Sequence, residues 1–143
     1  MPSAREIYQK LLDDIGDAFQ REDFDVYVTY FVFPQRVQTF DRSVTLNGPE
    51  DLQKVFERML ARLNHLNIVD FARVCLMAQQ IDDTTIYGYH ETKLINRDLF
   101  ITEAYTALSV LRLMPGGWRV SDNQYAEIDP LTPSAMVEIL GKH

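Results

Sequence analysis

Along the first twenty positions apolar side chains recur at helical spacing. Ile7, Leu11, Ile15, Ala18 and Phe19 fall on one stripe, with polar and charged residues between them. Ser3 followed three residues later by Glu6 is a capping box, so the pattern predicts a helix over residues 3–20. Arg21, Glu22 and Asp23 interrupt the rhythm, and Asp23 is placed to cap a short second helix carrying Phe24, Tyr27, Val28 and Phe31. Pro34 turns the chain toward two short strands, 35–40 and 42–46, with Asp41 between them. Asn47-Gly48-Pro49 ends the second strand and puts proline at the first position of a third helix. There Leu52, Val55, Phe56, Met59, Leu60 and Leu63 trace a single apolar face.

From Ile68 the period changes. Four long segments, about 68–81, 84–96, 99–114 and 117–127, are rich in β-branched and aromatic residues. Only Asp82-Asp83, Arg97-Asp98 and Pro115-Gly116 separate them. Tight links between long strands predict an antiparallel meander, and strands of this length in a small domain must curl to cover a core. Thr132-Pro133 offers the start of a last short helix that ends before Gly141. The class is therefore α+β, with three N-terminal helices packed into a strongly curved, mostly antiparallel six-stranded sheet. One domain over residues 1–143 is expected, with its core at about 4–127 and a tail or helix at 130–141.

Composition narrows the partners. The 21 acidic and 14 basic residues give a net charge of −7, a field that repels nucleic-acid backbones and anionic membranes. A single cysteine, Cys75, cannot form an internal disulfide, and the first residues lack the apolar core of a signal peptide. No run approaches the ~18 apolar residues of a membrane span. The expectation is a cytoplasmic protein that binds neither nucleic acid nor membrane.

If every link between the long strands is a two-residue turn, the register follows by counting. One face then collects Cys75, Met77, Gln79, Ile86, Gly88, His90, Thr92, Leu94, Tyr105, Ala107, Ser109, Leu111, Leu113, Trp118, Val120, Asp122 and Gln124. The other collects Val74, Leu76, Tyr87, Tyr89, Leu108 and Val110. The helices can cover only one face, and the Trp118 face is assigned to them. The other is left as an exposed apolar patch that predicts a homodimer through the outer sheet face.

The order of elements, with Gly116-Gly117-Trp118-Arg119-Val120 at the turn into the last strand, resembles the nuclear transport factor 2-like superfamily over about residues 4–127. That superfamily includes SnoaL-like polyketide cyclases, ketosteroid isomerases, dehydratases, and many non-catalytic binding and dimerisation modules. The resemblance implies a cone with an internal pocket between the helices and the concave sheet face. It does not imply a particular reaction.

Asp122 and His90 are the candidate catalytic residues. A carboxylate on an apolar face has a raised pKa suited to proton transfer, and the resemblance adds that polyketide cyclases carry a similar aspartate on a late strand. A neutral imidazole can serve as acid, base or hydrogen-bond partner. The alternatives are an aspartate at the sheet rim and a core histidine satisfied by a tyrosine hydroxyl. Tyr105, Gln124, Gln79 and Ser109 are candidate ligand-binding groups that could hold a developing oxyanion or a bound polar group. Met77 and Trp118 would supply apolar wall, and Tyr27 and Tyr30 would lie over the cavity mouth. No metal-ligand spacing, phosphate loop or nucleophile elbow is present, so no metal and no cofactor is expected. Two functions remain open. One is proton transfer on a small, mostly apolar or amphipathic carbonyl or hydroxyl compound, by isomerisation, cyclisation or dehydration. The other is a non-catalytic module that carries a ligand or dimerises.

Overall fold

The computed structural model describes residues 2–39 and 42–125. Helix α1 (Ala4–Gln20) opens at Ser3, whose side chain accepts from the Glu6 amide while the Glu6 carboxylate accepts from the Ser3 amide. Helix α2 (Phe24–Tyr27) is capped by Asp23 and runs into a 3₁₀ turn, Val28–Tyr30. Helix α3 (Pro49–His65) begins at its proline. The three helices meet through aromatic rings: Phe19, Tyr27 and Phe56 pack with centroids 4.8 to 6.1 Å apart.

The sheet has six strands: β1 (Phe31–Gln38), β2 (Ser43–Leu46), β3 (Ile68–Asp82), β4 (Thr85–Asn96), β5 (Ile101–Met114) and β6 (Gly117–Tyr125). Their order is β2-β1-β6-β5-β4-β3, antiparallel except for β1 against β6. The helices fill the concave side of this open, curved sheet, and the fold is α+β as expected. Pro34 does not precede β1 but lies inside it, where the ladder to β6 shifts register between Phe31 and Arg36. A residue without an N–H is tolerated where the ladder is interrupted. The helix expected near 132–141 and the turn at Asp41 lie outside the described residues.

The links between long strands are not uniform. Asp82 pairs with Thr85 and Met114 with Gly117, so two of them are two-residue turns. The link from β4 to β5 is longer, and Leu99 takes a positive φ of 67° within it. It shifts the count by one, pairing Ile95 with Ile101, and a bulge before Glu103 adds a second, so Tyr105 lies opposite Thr92 and Ala107 opposite His90 and every side chain beyond keeps its face.

Unpaired single shifts, in contrast, change faces. On β3 the register shifts between Cys75 and Met77 and again between Gln80 and Asp82. On β6 it shifts beside Ser121: Leu111 pairs with Val120, but Val110 pairs with Asp122. Four expected concave residues are therefore corrected. Met77 (59% exposed) and Gln79 at the tip of β3, and Asp122 and Gln124 at the end of β6, all lie on the outer face. Each sits beyond an extra residue that the two-residue-turn count omits.

Candidate ligand-binding site

Helix α1 is fastened along β3, which is the edge strand of the sheet. The Gln9 side chain accepts from the Cys75 amide at 2.8 Å and donates to the Arg73 carbonyl at 2.9 Å, so one amide side chain stands in for a neighbouring strand. The Arg5 guanidinium donates to the carbonyls of Cys75 and Leu76, each at 2.8 Å. These bonds satisfy an edge that would otherwise be open to pairing, and they fix the backbone on both sides of Cys75.

One turn further along α1, Tyr8 lies against the backbone of Gly88 on β4, where any β-carbon would overlap its ring. The Tyr8 hydroxyl and His90 Nδ1 share a hydrogen bond of 2.6 Å. Both residues are 1% exposed. Burial, reinforced by the Arg73 charge, pushes the His90 pKa down to about 3. Burial also pushes Tyr8 up to about 12. The pair is therefore neutral on both sides near pH 7.

Between α1, α3 and the concave face lies a cavity of about 110 Å³. Its wall is mostly apolar, with Leu11, Leu12 and Ile15 from α1, Met59 from α3, and Leu111 and Val120 from the sheet. Its polar lining comes from Tyr8, Tyr27, Gln35, Arg73, Thr92, Tyr105, Ser109, Asn123 and Tyr125. Ser109 donates to Asn123 Oδ1 at 2.6 Å, and the rings of Tyr105 and Tyr125 stand 6.1 Å apart. Burial raises the tyrosine pKa values, to about 12 for Tyr27 and upward for Tyr105 and Tyr125, while Arg73 pulls each back. One buried polar atom in this wall, Gln35 Oε1, has no partner among the described residues, and the Thr92 hydroxyl has the Tyr105 phenol as its neighbour.

Of the residues singled out in the sequence, Tyr27, Tyr105 and Ser109 line the cavity. His90 does not line it; it is bonded to Tyr8, which does. Trp118 and Tyr30 are half-buried and pack against the core without lining it. Asp122 is on the outer face with its carboxylate 3.9 Å from the exposed Arg36. Gln124, Gln79 and Met77 are exposed there too. Among the described residues no carboxylate lines the cavity and no group of His, Cys, Asp and Glu is arranged to hold a metal ion. No helix of the described residues is long and apolar enough to cross a membrane.

Tyr8, Gln35, Arg73, Asn123 and Tyr125 were not among the expected site residues, and Thr92 was expected on this face without a role. Tyr8 continues an apolar stripe with Leu11, Leu12, Ile15 and Phe19, which signals its burial. Arg73 shares strand parity with Cys75, so it too could have been placed inward. Asn123 and Tyr125 could not, because only the bulge at Ser121 turns them in.

No family model and no curated protein matches the chain. Solved structures do. A protein of unknown function with a cystatin-like fold from Nostoc punctiforme superposes with a TM-score of 0.67 at 19% identity, over 92% of this chain and 96% of that one. A ketosteroid isomerase-like protein from Erwinia carotovora atroseptica gives 0.65 at 17%, over 91% and 100%. A nuclear transport factor 2-like protein with a cystatin-like fold from Novosphingobium aromaticivorans gives 0.66 at 16%, over 96% and 88%. The chain has the fold of the nuclear transport factor 2-like superfamily.

Proposed function

We propose that this cone binds a small, mostly apolar molecule carrying one polar end, and that it does so without moving a proton. The observation that carries the proposal is the mixed wall of the cavity. Gln35 is 2% exposed, yet its Oε1 is unpaired in a wall where a polar patch meets a mostly apolar surface. An unsatisfied buried polar atom costs about 1–3 kcal/mol, a cost that a bound polar group removes. The cavity's 110 Å³ is of the same order as engineered apolar cavities of about 150 Å³ that take up benzene, so the body of a ligand about the size of one benzene ring fits.

Proton transfer is less well supported. The carboxylate that would carry it, Asp122, is outside the cone. A histidine pushed down to about 3 and a tyrosine pushed up to about 12 are both poorly matched to acid–base work near neutral pH. Native mass spectrometry after incubation with small aromatic and branched aliphatic fragments tests the binding proposal. One-to-one adducts that a larger bicyclic or steroid-sized compound does not form are expected. No adduct with any fragment would contradict it.

We also propose that two copies pack through the outer sheet face. Val74, Met77, Tyr87 and Tyr89 on β3 and β4 are 37% to 59% exposed and lie together there. The adjacent β3 edge is occupied by Arg5 and Gln9, which leaves the apolar face rather than the edge for a self-complementary contact.

A further inference from the structure

Arg73 is a cation inside the cone with nothing of opposite charge beside it. Its side chain points from β3 into the cavity wall, directly across the ladder from Thr92, which in turn pairs with Tyr105. Among the described residues its guanidinium joins no salt bridge, and the only hydrogen bond at this residue ends on its backbone carbonyl. The chain as a whole carries a net charge of −7, so an unpaired arginine facing an apolar cavity is against the general trend of its charges. A guanidinium is a permanent cation with a planar fork of donors, and this one, on a half-buried residue lining the cavity, has no side-chain partner.

Three further observations point to what the site takes. Thr92, 3% exposed, lies directly across the ladder from Arg73, and its hydroxyl has the Tyr105 phenol as its hydrogen-bonding neighbour. The phenols of Tyr27, Tyr105 and Tyr125 line the same cavity, all within electrostatic reach of Arg73. No carboxylate among the described residues lines it, so an incoming anion meets no like charge there. One arginine balances one negative charge, and its fork matches a carboxylate in two parallel bonds.

We infer that the cavity binds a small monocarboxylate with an apolar or aromatic body, its carboxylate on Arg73 and the Thr92 hydroxyl and its body against Leu111, Met59 and Val120. The inference rests on the cavity being a ligand site, and it adds the charge of the ligand.

Isothermal titration calorimetry with benzoate, phenylacetate and hexanoate, against benzamide, benzyl alcohol and hexanol, tests it. The carboxylates are expected to bind roughly tenfold to a hundredfold more tightly than their neutral counterparts, the span of a charged hydrogen bond. Arg73→Met is expected to remove that advantage while leaving the neutral compounds unchanged, and Arg73→Lys to restore part of it. Thr92→Val, which removes the hydroxyl with little change of shape, keeps the test usable should Arg73→Met fail to fold. It is expected to weaken the carboxylates alone. Neutral compounds binding as tightly as carboxylates, or phenylphosphonate binding in preference to benzoate, would overturn the inference and leave the cavity a ligand site. Carboxylate affinity unchanged in Arg73→Met, or in Thr92→Val where Arg73→Met does not fold, would overturn the placement on Arg73. Binding of none of these compounds would overturn the ligand site itself.

Discussion

The Tyr8 hydroxyl lies 2.6 Å from His90 Nδ1, and this one bond joins the first helix to the centre of the sheet across 82 positions of sequence. It is a contact between two neutral groups, sealed from water. Its consequence is a pH dependence of folding.

His90 titrates near 6.5 when unfolded and at about 3 when folded. Between those values the unfolded chain holds the extra proton, so stability falls as pH drops through the window and is fully present above pH 6.5. The slope is at most about 1.4 kcal/mol per pH unit. Denaturant unfolding of the protein and of His90→Gln, from pH 7.5 to 4, should show the stability difference between them shrinking toward acid and constant above pH 6.5. Parallel curves would contradict the burial of a neutral imidazole.

The bulge at Ser121 decides which of two neighbouring residues matters. Asp122→Asn should change stability by no more than about 0.5 kcal/mol and leave ligand binding intact, because its 3.9 Å pairing with exposed Arg36 is a surface contact. Asn123→Ala should cost about 1–2 kcal/mol and disturb binding, because it removes the acceptor of the Ser109 hydroxyl at the cavity wall. Thermal melts and fragment binding on both variants check this. The opposite ranking would mean that Asp122, not Asn123, faces the cavity.

That contrast also marks how far the sequence is legible. The helices and strands can be placed from periodicity, from the Ser3–Glu6 box and from turn residues, since each is written in local composition. So is the burial of Ile86, Leu94 and Leu111, where the count from the turn holds. A bulge leaves no such mark: nothing in Val-Ser-Asp-Asn distinguishes a regular strand from one with an extra residue at Ser121. The longer link between β4 and β5 and the bulge before Glu103 were equally invisible but together harmless, because a shift of two keeps parity while a shift of one inverts it. Tyr105 and Ser109, where the two shifts cancel in parity, consequently line the cavity. Asp122, Gln124, Met77 and Gln79, past a single shift, do not.

The outer face gives a separate prediction. Sedimentation velocity at micromolar concentration should show a dimer, and Tyr89→Lys, at a side chain 37% exposed, should convert it to a folded monomer. A monomeric parent protein would contradict the proposed packing of two copies.

The occupancy of the cavity can be read from methionine methyl groups, because their positions differ. Met59 lines the cavity, whereas Met77 and Met114, 59% and 36% exposed, lie outside it. Titration of isotope-labelled methionine methyls by nuclear magnetic resonance with benzoate and with benzyl alcohol is the most direct test of a ligand-binding cone. The account predicts a saturable shift of the Met59 resonance with Met77 and Met114 unmoved. A Met59 resonance that stays in place, or shifts confined to Met77 and Met114, would contradict it.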